Sequence, residues 1–98
     1  MDNNQIERIE QMERHFNAIS FSFRNLSTAF EHFEAQTDAL KELKKYYGSK
    51  EWKNDFADSE AGLLPKDLHC GVLSEDGVWN LLEDIRELSD RMNKLLSL

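Results

Sequence analysis

Apolar residues recur along the first half of this chain at alternating spacings of three and four, from Ile9 to Tyr47, with no proline or glycine among them. With Ile9 as position a of a heptad, Ile9, Phe16, Phe23 and Phe30 fall at a, and Met12, Ile19, Leu26, Phe33, Leu40 and Tyr47 at d. Only Thr37 and Lys44, also at a, interrupt the seam. Such spacing keeps one face of a helix apolar turn after turn, so the pattern predicts a single long helix over residues 4–47. Asn4 followed by Glu7 has the spacing of a capping box at its start. Lys44 and Lys45 suit the negative end of its dipole, and Gly48 can adopt the left-handed conformation that stops it.

The second half reads as shorter pieces. Ser49 is placed to cap a short helix that carries Trp52 and Phe56 on one face and stops around Ala61–Gly62. Pro65 and Gly71 then break a stretch, residues 63–73, that is nonetheless rich in Leu and Val, so this connector is expected to be pinned down. Ser74 opens the last helix as N-cap, with Glu75 and Asp76 in the first turn and Leu73 positioned to meet Val78 as a hydrophobic staple. Gly77 weakens that start slightly. Val78, Leu81, Ile85, Leu88, Met92 and Leu95 repeat at spacings of three and four, with Trp79 and Leu82 widening the stripe, so the helix runs to about Leu96.

The expected fold is therefore all-α: one domain, residues 1–98, in which the long N-terminal helix packs antiparallel with the C-terminal helix while the short helix and the apolar connector clamp the open end. The lengths do not match. At 1.5 Å per residue the first helix would reach roughly 65 Å and the last roughly 33 Å. A simple hairpin leaves Phe16, Ile19, Phe23, Leu26 and Phe30 partly bare, which forfeits on the order of 10 kcal/mol of burial. Either the long helix breaks, with Asn25, Ser27 and Thr28 as its weakest stretch, or it stays straight and a second copy completes the bundle. The intact heptad through that stretch favours the straight helix and a dimer.

Charge narrows the partners. Asp and Glu number 19 against 12 Lys and Arg, a formal charge of −7, and no basic stripe is present to neutralise phosphates, so neither nucleic acid nor an anionic membrane surface is expected to bind. No secretory leader and no run of eighteen apolar residues is visible, which leads to the expectation of a cytoplasmic protein. Cys70 is the one cysteine, so neither an intrachain disulfide nor a thiolate zinc cluster is expected.

The run Tyr46-Tyr47-Gly48-Ser49-Lys50-Glu51-Trp52, then Gly62-Leu63-Leu64-Pro65-Lys66-Asp67-Leu68, then Gly71 through Leu82, resembles a bacterial family of short proteins known as domain of unknown function 4298. The similarity covers nearly all of the chain in order and spacing, with its specific motifs between residues 46 and 82. It implies a compact helical protein of a bacterium or phage, and no role for Cys70, where a basic residue is common. It lends no activity.

Chemistry has little to rest on. There is no nucleophile elbow, no phosphate-cradling glycine loop and no His-Glu-x-x-His, so no enzyme is expected, and no catalytic, cofactor or metal residues are assigned. The acidic residues of the second half match no EF-hand spacing and read as a solvated face. His15, His32, His69 and Cys70 lack a metal-site spacing. Two candidate sites remain. Phe16, Ile19, Phe23, Leu26, Phe30 and Phe33 form an interaction surface, first of all with another copy of the chain and then with a further protein. Trp52, Lys66, Asp67 and Trp79 form a candidate pocket between the 62–73 connector and the helices, where the alternative is a small-molecule or metal-binding protein or a minor enzyme. Docking of the connector explains the same aromatics, and turn chemistry explains Lys66 and Asp67.

Overall fold

The computed structural model describes residues 2–98 and is all-helical, with no strand among them. Four helices follow in order: α1 (Asn3–Glu34), α2 (Thr37–Tyr46), α3 (Lys50–Glu60) and α4 (Gly77–Leu96), with a single 3-10 turn, Gly71–Leu73, ahead of the last. None of the described helices is long and apolar enough to cross a membrane. The chain divides into a first unit ending at Lys41 and a second, Glu42–Leu98.

In the first unit α1 starts earlier than the Asn4 box suggests. Asp2 is the N-cap, its Oδ1 accepting from the Gln5 N–H at 2.6 Å. Asp2 brings a negative charge to the positive helix end, and Gln5 stands three residues on, so the same box spacing is present two residues upstream. The helix continues unbroken through Asn25, Ser27 and Thr28, where the Thr28 hydroxyl donates to the Arg24 carbonyl at 3.1 Å.

The single helix expected over 4–47 is instead divided at Ala35–Gln36. Gln36 N–H turns back to the Phe33 carbonyl at 2.9 Å, an i to i−3 bond, and the Thr37 hydroxyl donates to the Glu34 carbonyl at 2.6 Å. A threonine that back-bonds in this way competes with the main-chain ladder and opens it. The hitch needs no left-handed residue, because Ala35 keeps right-handed angles, φ −64° and ψ −15°. It falls where the apolar seam meets its first polar position, Thr37, so the uninterrupted stripe ends with the helix that carries it.

The second unit is built around its turns. Gly48, at φ 80°, and Gly62, at φ 73°, end α2 and α3 in the left-handed region. At Gly62 the paired bonds Leu63 N–H to Asp58 carbonyl, 3.0 Å, and Gly62 N–H to Ser59 carbonyl, 3.1 Å, form a Schellman close. Ser49 caps α3 as expected, accepting from Trp52 N–H at 3.1 Å. The 3-10 turn packs on both α3 and α4. Leu73 on that turn and Val78 on α4, the two members of the anticipated staple, are the buried apolar residues. On α4 Arg86 bonds Glu83 at 2.7 Å and approaches Asp90 at 3.5 Å. It holds the Glu83 carboxyl below its ordinary range, but pairs this exposed add little to stability.

Regular α4 begins at Gly77, three residues beyond Ser74. The N-cap is therefore Asp76, which makes no capping bond with its side chain, and not Ser74; the Ser74 hydroxyl instead accepts from Gly77 N–H at 3.1 Å and donates to the Gly71 carbonyl at 2.8 Å, bridging the 3-10 turn to the helix. Gly77 is not the weakness it was read as. A Cβ there would collide with Ser74 Oγ and lie 3.1 Å from the Gly71 carbonyl. Replacing a helical glycine by alanine ordinarily stabilises by up to about 1 kcal/mol. Here Gly77→Ala is expected to lower the thermal midpoint, by about 1 kcal/mol equivalent, because it dislodges the Ser74 bridge between the 3-10 turn and α4. Repeating it in a Ser74→Ala background, where the hydroxyl is gone, should cost less. A midpoint raised by Gly77→Ala alone contradicts this.

Candidate functional site

The six residues of the expected interaction surface lie on α1 and are all exposed. Phe16 and Phe23 are 65 % exposed and Ile19 68 %, with Leu26, Phe30 and Phe33 near half. Ile9 and Met12 extend the stripe toward the N-terminus and are equally open. At 3.6 residues per turn these eight side chains fall in a sector about 120° wide. No residue of α1 is buried. Phe21 is the residue that heptad reasoning passed over: it is 60 % exposed and lies on the side of α1 opposite the stripe, at position f.

The pocket candidates are placed differently. Trp52, half-buried on α3, stacks on Phe56 with ring centroids 5.2 Å apart and planes at 17°, and receives the edge of Tyr47 at 5.2 Å and 74°. Its indole N–H donates to the Val72 carbonyl at 3.0 Å. The polar atom of Trp52 is thereby used to fasten the 3-10 turn to α3, and this is the pin that the apolar connector required. Lys66 and Asp67 are exposed in the turn closed by Leu68 N–H on the Pro65 carbonyl at 3.2 Å, and Trp79 on α4 is 55 % exposed.

One polar contact escaped the sequence reading. Tyr46, the last residue of α2, donates its phenolic O–H to Asp55 Oδ2 on α3 at 2.6 Å. A tyrosine and an aspartate nine apart across a glycine turn give no periodic signal. Asp55 had been counted only with the acidic face. The bond exists only while the phenol keeps its proton, and the neighbouring carboxylate resists a second negative charge, so the Tyr46 pKa is raised to about 12. Elsewhere, no group of three or more His, Cys, Asp or Glu among the described residues is arranged to hold a metal ion. Cys70 is a free, half-buried thiol whose Sγ lies 3.5 Å from the Leu68 carbonyl.

The Tyr46 shift fixes a pH dependence. A phenol whose folded pKa exceeds its unfolded value of about 10 contributes stability that is complete below pH ~10 and is lost as the pH climbs through about 12. In a Tyr47→Phe variant Tyr46 is the sole tyrosine, and ultraviolet titration of tyrosinate should give a midpoint near 12 that Asp55→Ala returns toward 10. A midpoint near 10 with Asp55 in place contradicts the bond.

No curated protein and no solved structure matches the chain. A family model does, that of the domain of unknown function DUF4298, over residues 9–95 of the 98. The match takes in both the apolar stripe of α1 and the Trp52 corner with its glycine turns, and the chain belongs to the DUF4298 family.

Proposed function

We propose that this chain is a non-catalytic, self-associating interaction module, and that the stripe of α1 is the surface by which it binds a second copy of itself. The observation that carries the reading is a helix of 32 residues with no buried side chain and an uninterrupted apolar face. Helices in water draw most of their stability from burying such a face, and the residues around it are poor helix formers: Phe, Ser, Asn and Thr dominate His15–Phe30. Propensity alone does not hold α1.

The exposed part of the stripe amounts to on the order of 900 Å², beyond the roughly 300–600 Å² of the largest patch on a typical monomer. Covering it is worth about 1 kcal/mol for each half-exposed side chain, on the order of 15 kcal/mol for two copies together. That matches or exceeds the roughly 4–15 kcal/mol cost of bringing two chains together. The net charge of −7 opposes indiscriminate aggregation and favours association through an uncharged face, of which the α1 stripe is the longest. The module works in the cytoplasm, where its lone thiol stays reduced. A further protein would be a second, separate partner.

Sedimentation velocity at micromolar concentration should give twice the 11.5 kDa of the chain. Phe23→Glu, in mid-stripe, should shift it to monomer, and Phe21→Glu, on the opposite side of α1, should leave it unchanged. A wild-type chain that sediments as a monomer ends the reading. If its α1 amides are then also protected from exchange, the antiparallel pairing with the chain's own last helix is what covers the stripe.

A further inference from the structure

Side-chain volumes along the stripe specify more than association. We propose that the two copies pair through α1 in antiparallel orientation, with the two-fold axis crossing the helices at the level of Phe21; this rests on the self-association reading and deepens it. The stripe runs from Ile9 to Phe33, so the antiparallel arrangement of fullest overlap sets residues opposite each other when their numbers add to 42. Ile9 then faces Phe33 of the second copy, Met12 faces Phe30, Phe16 faces Leu26, and Ile19 faces Phe23. Every layer joins one phenylalanine to one aliphatic side chain, which keeps the layer volume nearly constant along the seam, as close packing of facing positions requires.

The parallel, in-register alternative stacks each residue on its own copy. It gives Phe–Phe layers at 16, 23, 30 and 33 and aliphatic layers at 9, 12, 19 and 26, so overfilled levels alternate with underfilled ones along two rigid rods. Overpacking and voids both destabilise.

The flanking positions agree with the antiparallel choice near its centre. Beside core layers whose numbers add to 42, position e meets e at a sum of 40 and g meets g at a sum of 44, so Ser20 faces Ser20 and Ser22 faces Ser22 of the second copy, small side chains that let the backbones approach, and His15 faces Ala29. Phe21 stays outside the contact. Charge favours the parallel arrangement only weakly. Arg8 would meet Glu13 of the second copy twice, whereas the antiparallel pair sets Arg8 beside Gln36 and Glu13 beside Ser27, with no like charges opposed. Two exposed ion pairs change affinity by about thirty-fold at most, and the layer mismatch recurs at all eight levels of the seam. The overlap of residues 8–34 extends about 40 Å, and the area of on the order of 900 Å² per copy is that of a standard stable interface, roughly 800 Å² a side.

Nitroxide spin labels test the orientation. Glu7, exposed and at position f, is replaced by cysteine in a Cys70→Ser background and labelled, and the distance between labels in the dimer is measured by pulsed electron resonance. The antiparallel pair separates the two sites by about 42 Å along the helix axes. A parallel pair brings them within about 25 Å of each other. A distribution centred beyond about 40 Å is the expected result. A short distance from a protein that still sediments as a dimer overturns the orientation and leaves self-association standing. The absence of any dipolar coupling from a protein that sediments as a monomer overturns both.

Discussion

A helix cannot leave a phenylalanine-rich face in water and remain the stable form of its sequence, and the rest of this structure turns on that constraint. α1 is 32 residues long with every side chain at least partly open, and its centre is made of residues that favour neither helix nor solvent. The order in it comes from the pattern of the apolar face. That face is also the longest apolar helix face in the chain, and it is the surface proposed to bind a second copy.

The second unit meets a related problem, because it buries little of the apolar surface it carries: Leu63, Leu68, Trp79, Leu88 and Leu95 are each at least half exposed. Leu73 and Val78 are its buried apolar pair, and the work of a larger core is divided among directed polar bonds. Trp52 fastens the 3-10 turn to α3 through its indole N–H, Tyr46 ties the end of α2 to α3 through Asp55, and Ser74 bridges the turn to α4 with both its donor and its acceptor. Each bond spans a break in regular structure, where helical hydrogen bonding provides nothing. Two left-handed glycines set the directions in which those breaks turn. The exposed Lys66 and Asp67 of the apolar connector ride on this frame and are not part of it.

Features governed by periodicity were legible in the sequence. The α1 stripe, the face of α4, the Ser49 cap and the glycine stops at 48 and 62 all follow from spacings of three and four or from residues with one conformational specialty. What depended on competition between neighbouring options was not. Asp2 and not Asn4 is the cap, and since Asp and Asn cap about equally well, residue type alone did not separate the two. The long helix divides where the apolar seam meets its first polar position, Thr37, whereas the intact seam carries it through Asn25, Ser27 and Thr28 even though the Thr28 hydroxyl also takes a main-chain carbonyl. The Tyr46–Asp55 bond and the close fit of Gly77 under Ser74 are tertiary facts with no local signature. Family membership, carried by the motifs at 46–82, was recognisable from residues alone, although those motifs turn out to build the scaffold more than a site.

The measurement that bears most directly on the central claim is hydrogen exchange of the α1 amides as the protein is diluted. If a second copy holds α1 together, protection across residues 9–33 should fall as dissociation sets in, while α3 and α4, held by bonds within their own unit, exchange at unchanged rates. Protection of residues 9–33 that persists at every concentration would contradict the account.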